Sequence, residues 1–277
     1  MPADHRTISP TTPHFWRDAQ LPFIEARCIE DGRKVCYSRH SHDVFSIGAI
    51  TSGSSTYLHE KTSLTISTGT VVLMNPGDVH ACNPIEDQPW SYIMLYIDAG
   101  WLASIQQVCS VGEAQAFRPI AATHTHSVAL FEGLLTLHAM LIDPAVDALR
   151  KHEATLAYCL LMQQTLGCSA PPVRKANQKV ERAAAYIDQH CLEAVRLEEI
   201  CRAANLSEAY LIRAFEQRYH MTPHAYLINR RIQLAQTQLR EGDPITDVAV
   251  QTGFADQAHF QRVFKKHLAV TPGQYKP

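Results

Sequence analysis

The chain has 277 residues, 46% of them hydrophobic and 19% charged, with 12 Gly and 15 Pro, which is the make-up of a folded, core-forming protein of one or two domains. Collagen-like, fibrous and disordered chains are excluded. There is no uninterrupted apolar run of about 18 residues and no early apolar stretch of about 7–15, so neither a membrane span nor a secretory signal is expected. Eight cysteines without a C-x-x-C spacing fit a reducing, cytoplasmic setting.

The net charge of −2 hides an asymmetry about Pro171-Pro172. Residues 1–171 carry 10 Lys+Arg against 16 Asp+Glu, and residues 172–277 carry 15 against 11. An acidic front and a basic back predict two domains with different partners, the basic one suited to an anionic surface such as nucleic acid.

From Pro22 to about Arg118, short β-branched and aromatic runs alternate with turn residues: Val44 to Thr51, Ser55 to Glu60, Ser63 to Ser67, Thr70 to Met74 and Trp90 to Asp98. This spacing predicts an antiparallel sandwich or barrel. In the last run Trp90, Tyr92, Met94 and Tyr96 share one face while Ile93, Leu95 and Ile97 share the other, as in a central strand covered on both sides. From Ser127 the period becomes helical. Leu130, Leu134, Leu137 and Leu141 form one stripe, Asp143-Pro144 interrupts it, and Leu149, Leu156, Cys159 and Leu160 continue it. A helical hairpin over about 127–168 is expected, packed on its own domain or serving as a dimer surface. The run Gly167 to Pro172 reads as a linker, giving domains at 1–170 and 171–277.

The last eighty residues contain an internal repeat. Leu197, Ile200, Cys201 and Leu206 match Ile245, Val248, Ala249 and Phe254 at an offset of 48, and after one inserted residue Ala209 to Phe215 lies over Ala258 to Phe264. Thr222-Pro223 then matches Thr271-Pro272, and Tyr226 matches Tyr275. Each copy reads as helix, sharp turn and longer helix. Asn205 and Gly253 tolerate the left-handed turn, and Ser207 and Asp256 are placed to cap the second helices. Between the copies, Thr222 to Glu241 predicts a helix of about 30 Å, close to the roughly 34 Å between successive major-groove openings on one face of B-DNA.

Leu211, Phe215, Phe260 and Phe264 belong to the core by their spacing. Ala209, Ile212 and Arg213, with Gln257, Ala258, Gln261 and Arg262 in the second copy, lie away from that stripe, where Arg can grip guanine and Gln adenine. Arg230, Arg231, Lys265 and Lys266 are expected to contact phosphates. The segment Ile245-x-x-Val248-Ala249 through Gly253-Phe254-x-Asp256-Gln257, Phe260-x-Arg262-x-Phe264-Lys265-Lys266 and Thr271-Pro272-x-x-Tyr275 resembles the signature of AraC/XylS-type transcription regulators over roughly Val180 to Lys276. Ala269 departs from the glycine common there, which predicts a slightly strained turn. The resemblance implies an all-α domain whose paired helices enter neighbouring groove segments of double-stranded promoter DNA. It further implies a regulatory N-terminal domain, homodimerisation and contact with RNA polymerase, and no catalytic role.

Arg39-His40-Ser41-His42-Asp43 and Asn75-Pro76-Gly77-Asp78-Val79-His80 resemble the two halves of the cupin pattern, which implies a barrel. Side chains two apart on a strand point the same way, so His40 and His42 would converge with His80 as third partner, Cys82 beside it and Cys36 beyond His40. Enzymatic cupins add a Glu where this chain has Ser46, and AraC-type regulators carry such histidines as structural or effector-lining residues. The expectation is therefore no obligate cofactor, with a divalent ion on His40, His42 and His80 as the alternative. The effector pocket is expected inside the β-domain, lined by His40, His42, His80, Trp90, Tyr92 and Tyr96, and suited to a small polar metabolite such as an amino acid or organic acid. The leading reading is a ligand-responsive regulator. A metal- or redox-responsive regulator and a cupin metalloenzyme are the alternatives.

Overall fold

The computed structural model describes residues 11–108, 116–167 and 177–277. The expected linker and the boundary at 170/171 lie outside the described residues. The N-terminal half forms β1 (His14–Trp16), β2 (Ile24–Ile29), β3 (Phe45–His59), β4 (Thr62–Ser67), β5 (Val71–Met74), β6 (His80–Pro84), β7 (Trp90–Ile97), α1 (Ala99–Val108), β8 (His124–Thr125), α2 (Val128–Ile142) and α3 (Ala148–Leu166). The antiparallel sheet runs β1-β2-β7-β3-β5-β8, with β4 and β6 also paired to β3. β3 is the spine. Its first half pairs with β5 and β7, its second half with β4 and β6, and the register shifts at a bulge between Ile50 and Ser52.

The two expected runs Val44 to Thr51 and Ser55 to Glu60 are thus one strand. β1, β2 and β8 were not anticipated, β6 was expected only as the strand bearing His80 and Cys82, and α1 falls inside the stretch read as β. β7 divides its faces as its alternation predicts. Ile93, Leu95 and Ile97 join α1, α2 and α3 in one core, while Trp90, Tyr92 and Met94 face a second core inside the barrel with Ile50, Tyr57, Val72 and Met74.

The hairpin is present, opened by Ser127 and Asp147, whose side chains accept the amides of Leu130 and Arg150. α2 buries the four leucines of its stripe as expected. α3 continues that stripe only at Cys159 and Leu160. It buries Lys151, Thr155, Tyr158, Cys159 and Met162, and leaves Leu149 and Leu156 66% and 37% exposed. Tyr158 sets this rotation by packing over Gly133 and donating its hydroxyl to the Leu130 carbonyl at 3.2 Å.

The C-terminal half contains α4 (Gln178–His190), α5 (Leu197–Ala204), α6 (Glu208–Tyr219), α7 (Pro223–Glu241), α8 (Ile245–Gln251), α9 (Gln257–Leu268) and α10 (Pro272–Tyr275). Leu211 and Phe215 centre one lobe, Phe260 and Phe264 the other. α7 gives Leu227 to the first and Ile228, Ile232, Ala235 and Leu239 to the second. At 1.5 Å per residue its 19 residues span about 28 Å. Thr222 caps it with Pro223 behind, and Gly242 ends it at φ 96°. The turns at Asn205 (φ 51°) and Gly253 (φ 78°) are left-handed as expected. Asp256 accepts the His259 amide at 2.6 Å, whereas Ser207 occupies the cap position without a side-chain bond. No helix among the described residues is long and apolar enough to cross a membrane.

Ala269 closes α9 in the left-handed region at φ 57°. Ala269→Gly relieves this and is expected to stabilise the protein by about 0.5–1 kcal/mol, read as a higher urea midpoint at unchanged m-value. An unchanged or lower midpoint shows that the lost methyl contact outweighs the relief.

Candidate functional site

The barrel encloses a cavity of about 30 Å³, enough for about two water molecules. His40, His42, His80, Trp90, Tyr92 and Tyr96 all line it, joined by Tyr37, Met74, Cys82 and Met94. Gly48 keeps this space open. A Cβ there would lie 2.7 Å from the Met94 methyl and 2.8 Å from the Ile93 carbonyl.

The histidines do not converge by strand parity. His40 and His42 belong to an irregular segment before β3, and only His40 makes an isolated bridge with His80. Their backbones exchange two bonds of 3.1 and 2.9 Å. The ring centroids of the three lie 4.5, 4.8 and 5.0 Å apart. His40 Nδ1 sits 2.8 Å from the Ser38 carbonyl, and His80 Nδ1 sits 2.9 Å from the Asp78 carbonyl. A carbonyl only accepts, so Nδ1 carries the proton on both rings and Nε2 is left as an acceptor. Burial pushes all three pKa values down, that of His80 to about 4, so the rings are neutral.

Burial also pushes the Cys82 thiol up to about 12, which keeps it protonated and unreactive, and Cys36 is exposed. Ser46, at the place of the enzymatic Glu, is fully buried with its hydroxyl unpartnered. Several wall residues escaped the sequence reading, Tyr37 and Met74 among them. Tyr37 shares a 2.6 Å hydroxyl contact with Tyr92 but lies in a stretch with no periodicity, and Met74 follows Val72 on the inner face of β5.

The segment bearing His40 and His42 is also the joint with the C-terminal half. Asn229 on α7, 3% exposed, accepts the Ser41 amide at 3.1 Å and donates to the Ser41 hydroxyl at 3.1 Å and carbonyl at 3.4 Å. Gln233 donates to the same carbonyl at 3.0 Å. Ser38 donates its amide to the Lys266 carbonyl at 3.0 Å, and Arg27, 2% exposed on β2, donates to the Leu268 carbonyl at 2.9 Å. The last carbonyls of α9, which lack partners within their own helix, are therefore bonded from the β-domain.

On the second helices Ala209, Ile212 and Arg213 of α6 and Gln257, Ala258, Gln261 and Arg262 of α9 are all exposed, as are Lys265 and Lys266. Tyr210 joins them at 41% exposure, with the Arg213 guanidinium 5.7 Å from its ring. Glu60, at the β3–β4 turn, borders the groove that contains Arg213 and lies 3.3 Å from His220 at the end of α6. Two expected phosphate contacts are engaged elsewhere. Arg231 donates to the carbonyls of Cys191, Glu193 and Gly253 at 2.6–2.7 Å, tying the two lobes together. Arg230 pairs with Asp43 at 2.8 Å and Asp188 at 3.0 Å. Both sit where α7 faces protein, a fact that helical spacing alone does not reveal.

Residues 25–163 match the AraC-like ligand binding domain, and residues 200–277 match a helix-turn-helix domain. The chain belongs to the AraC family. It is a ligand-responsive transcription regulator that binds promoter DNA. Among AraC-family relatives and others of similar sequence, the uncharacterized HTH-type transcriptional regulator YbfI of Bacillus subtilis is 27% identical over 227 residues, covering 80% of this chain and 81% of its own. The lactose operon transcription activator of Staphylococcus xylosus is 19% identical over 272 residues, 94% and 95% of the two chains. Regulatory protein SoxS of Escherichia coli is 32% identical over 103 residues, 36% of this chain and 96% of its own. A crystal structure of an apo ToxT variant from Vibrio cholerae shares the fold at a TM-score of 0.57 and 15% identity, covering 91% and 96% of the two chains. ToxT bound to an unsaturated fatty acid gives 0.54 at 15% identity, covering 86% and 88%.

In this AraC-family chain the neutral histidines make stability depend on pH. Unfolded histidines protonate near 6.5 and folded His80 near 4, so between these values the unfolded chain holds more protons and acid favours unfolding. His80 alone is expected to contribute about 3 kcal/mol that is present above pH 6.5 and lost as the pH falls towards 4. Urea unfolding in chelator-treated buffer should show a steep loss over this window that is smaller in His80→Gln. Equal slopes in the two proteins would contradict it.

Proposed function

We propose that the chain is a cytoplasmic, homodimeric regulator in which α6 and α9 read bases in neighbouring major-groove segments while the barrel cavity takes a small polar effector. The observation that carries this is the duplicated helix-turn-helix whose equivalent residues Arg213 and Arg262 are both exposed, joined by a spacer of about 28 Å. Arg262, Arg213, Gln257 and Gln261 supply two-bond readers, Ala209, Ala258 and Ile212 apolar contacts for thymine methyls, and Lys265 and Lys266 phosphate contacts. The exposed Val128, Ile142, Leu149 and Leu156 on the helical hairpin support a self-association surface.

The effector reading rests on a buried cavity that combines imidazoles and tyrosines with the adaptable thioethers of Met74 and Met94. Admitting an amino acid or organic acid requires those side chains to move apart, because the cavity is smaller than such a molecule. Acceptor nitrogens favour the ammonium end of an amino acid over a carboxylate. A second reading, a divalent ion on the three histidines, is favoured by the direction in which His40 and His80 are held.

Mobility shift against a duplex selected from a random library by the full-length protein tests the DNA reading. Arg262→Ala should cost about 1–3 kcal/mol on that duplex and relax preference at one base pair, whereas Lys266→Ala should weaken all duplexes about equally. Wild-type binding should fall steeply with salt. Failure to select any sequence over random DNA would overturn the reading.

A further inference from the structure

We propose that His40, His42 and His80 form a site for a divalent first-row transition ion, and that α7 reads its occupancy through Ser41. This rests on the cavity being the effector site, takes the second of the two readings of its occupant, the ion, and names the regulation of that site.

The site follows from donors and acceptors. The ligand nitrogens of the three side chains lie within 4.8 Å of one another. Two of the rings give their Nδ1 protons to backbone carbonyls, 2.8 Å away for His40 and 2.9 Å for His80. Histidines that ligate metals are oriented in this way, because the outer bond fixes the tautomer and turns the Nε2 lone pair inward. Acceptor nitrogens gathered in one small cavity repel one another, and a Lewis acid is their complement. The space, about 30 Å³, suits an ion with one or two waters.

The donor set narrows the ion. Three imidazoles, with Ser46 in place of a carboxylate, make a nitrogen-rich donor set, which suits Zn²⁺, Co²⁺ or Ni²⁺ and not Mg²⁺ or Ca²⁺. The absence of a carboxylate ligand keeps the binding reversible, as a sensor needs. Arg27, whose field reaches His42, directs its own charge to the Leu268 carbonyl and the rings of Phe15 and Tyr37.

The read-out follows from distances. Imidazoles at about 2.0–2.1 Å from an ion have their ligand nitrogens about 3.0–3.4 Å apart. Binding therefore draws nitrogens now within 4.8 Å of one another closer by up to about 1.8 Å. Ser41 lies between two of the ligands and is held by Asn229 and Gln233, so the contraction pulls directly on that clasp. Loosening it frees Arg230 from Asp43 and withdraws Glu60 from the groove containing Arg213. Removing two acidic groups from the basic half raises its affinity for DNA.

The test uses the full-length protein stripped with chelator, Co²⁺ alone as probe, and the library-selected duplex. The wild type should bind one Co²⁺ with a visible ligand-field band that Zn²⁺ displaces. His42→Ala and His80→Gln, each with the wild-type far-UV circular dichroism, should bind at least about tenfold more weakly. Co²⁺ should raise wild-type DNA affinity by about fivefold or more, and Asn229→Ala should keep the band while losing that gain. No band, or a band insensitive to both histidine substitutions, overturns the site. A band at the histidines with DNA affinity unchanged or lowered overturns the read-out, as does a full gain in Asn229→Ala. Sequence-specific binding by the metal-free wild type stands or falls separately and reports only on the regulator reading.

Discussion

A backbone segment without regular structure can be buried only if some other group bonds its amides and carbonyls. For Ser41, between His40 and His42, that group belongs to the other domain. Asn229 and Gln233 of α7 take both backbone groups of Ser41, and His80 takes those of His40. An unpaired buried peptide group costs about 1–3 kcal/mol, so docking of α7 favours this conformation of Ser41, while His80 and Gly77 bond the backbones of His40 and His42 from within the β-domain. The dependence is mutual, since the last turn of α9 obtains partners for Lys266 and Leu268 from Ser38 and Arg27.

Not every contact across this joint carries equal weight. Arg230 and Asp43 form a short pair, but the Asp43 side chain is 65% exposed, and such pairs contribute about 0–1 kcal/mol. The cohesion comes instead from the neutral clasp at Asn229 and from Arg27, whose buried charge sits at the negative end of α9 and between the rings of Phe15 and Tyr37. α7 thereby does three things with three faces. Leu227, Ile232 and Leu239 fill the lobes, Arg231 ties their turns together, and Asn229 with Gln233 holds the barrel.

The sequence pattern revealed the two repeated modules and the helix between them because a duplicated module carries each signal twice and its helix ends are set by local chemistry: Thr222-Pro223, Asn205, Gly253 and Asp256. β7 was legible for a similar reason, its alternation matching two different cores. The three histidines that the sequence brings together by strand parity do meet at the cavity, but the fold gathers them with an irregular loop and a single bridge. Asn229, Arg27 and Tyr37 left no local trace. Their partners lie 188, 241 and 55 residues away, and no spacing along the chain announces such a pairing. The α3 stripe failed because Leu149 and Leu156 fit the helical period, while Tyr158 over Gly133 decides which face turns inward.

The balance of these forces bears on how an occupant of so small a cavity would reach a second domain. A ligand shifts a two-state equilibrium only by its differential affinity for the two states, so a joint held by many kilocalories would be deaf to it. Here the joint is built mainly from polar bonds that water can replace. Apolar contact across it is confined to residues such as Phe15 against the second lobe and Ala269 against the barrel core. Such a joint is weak enough to open for a few kilocalories and specific enough to close in one register, because Asn229 can satisfy Ser41 in only one arrangement. The histidines flanking Ser41 place the occupant of the cavity one peptide unit from that arrangement, so no long pathway is needed between effector and spacer helix.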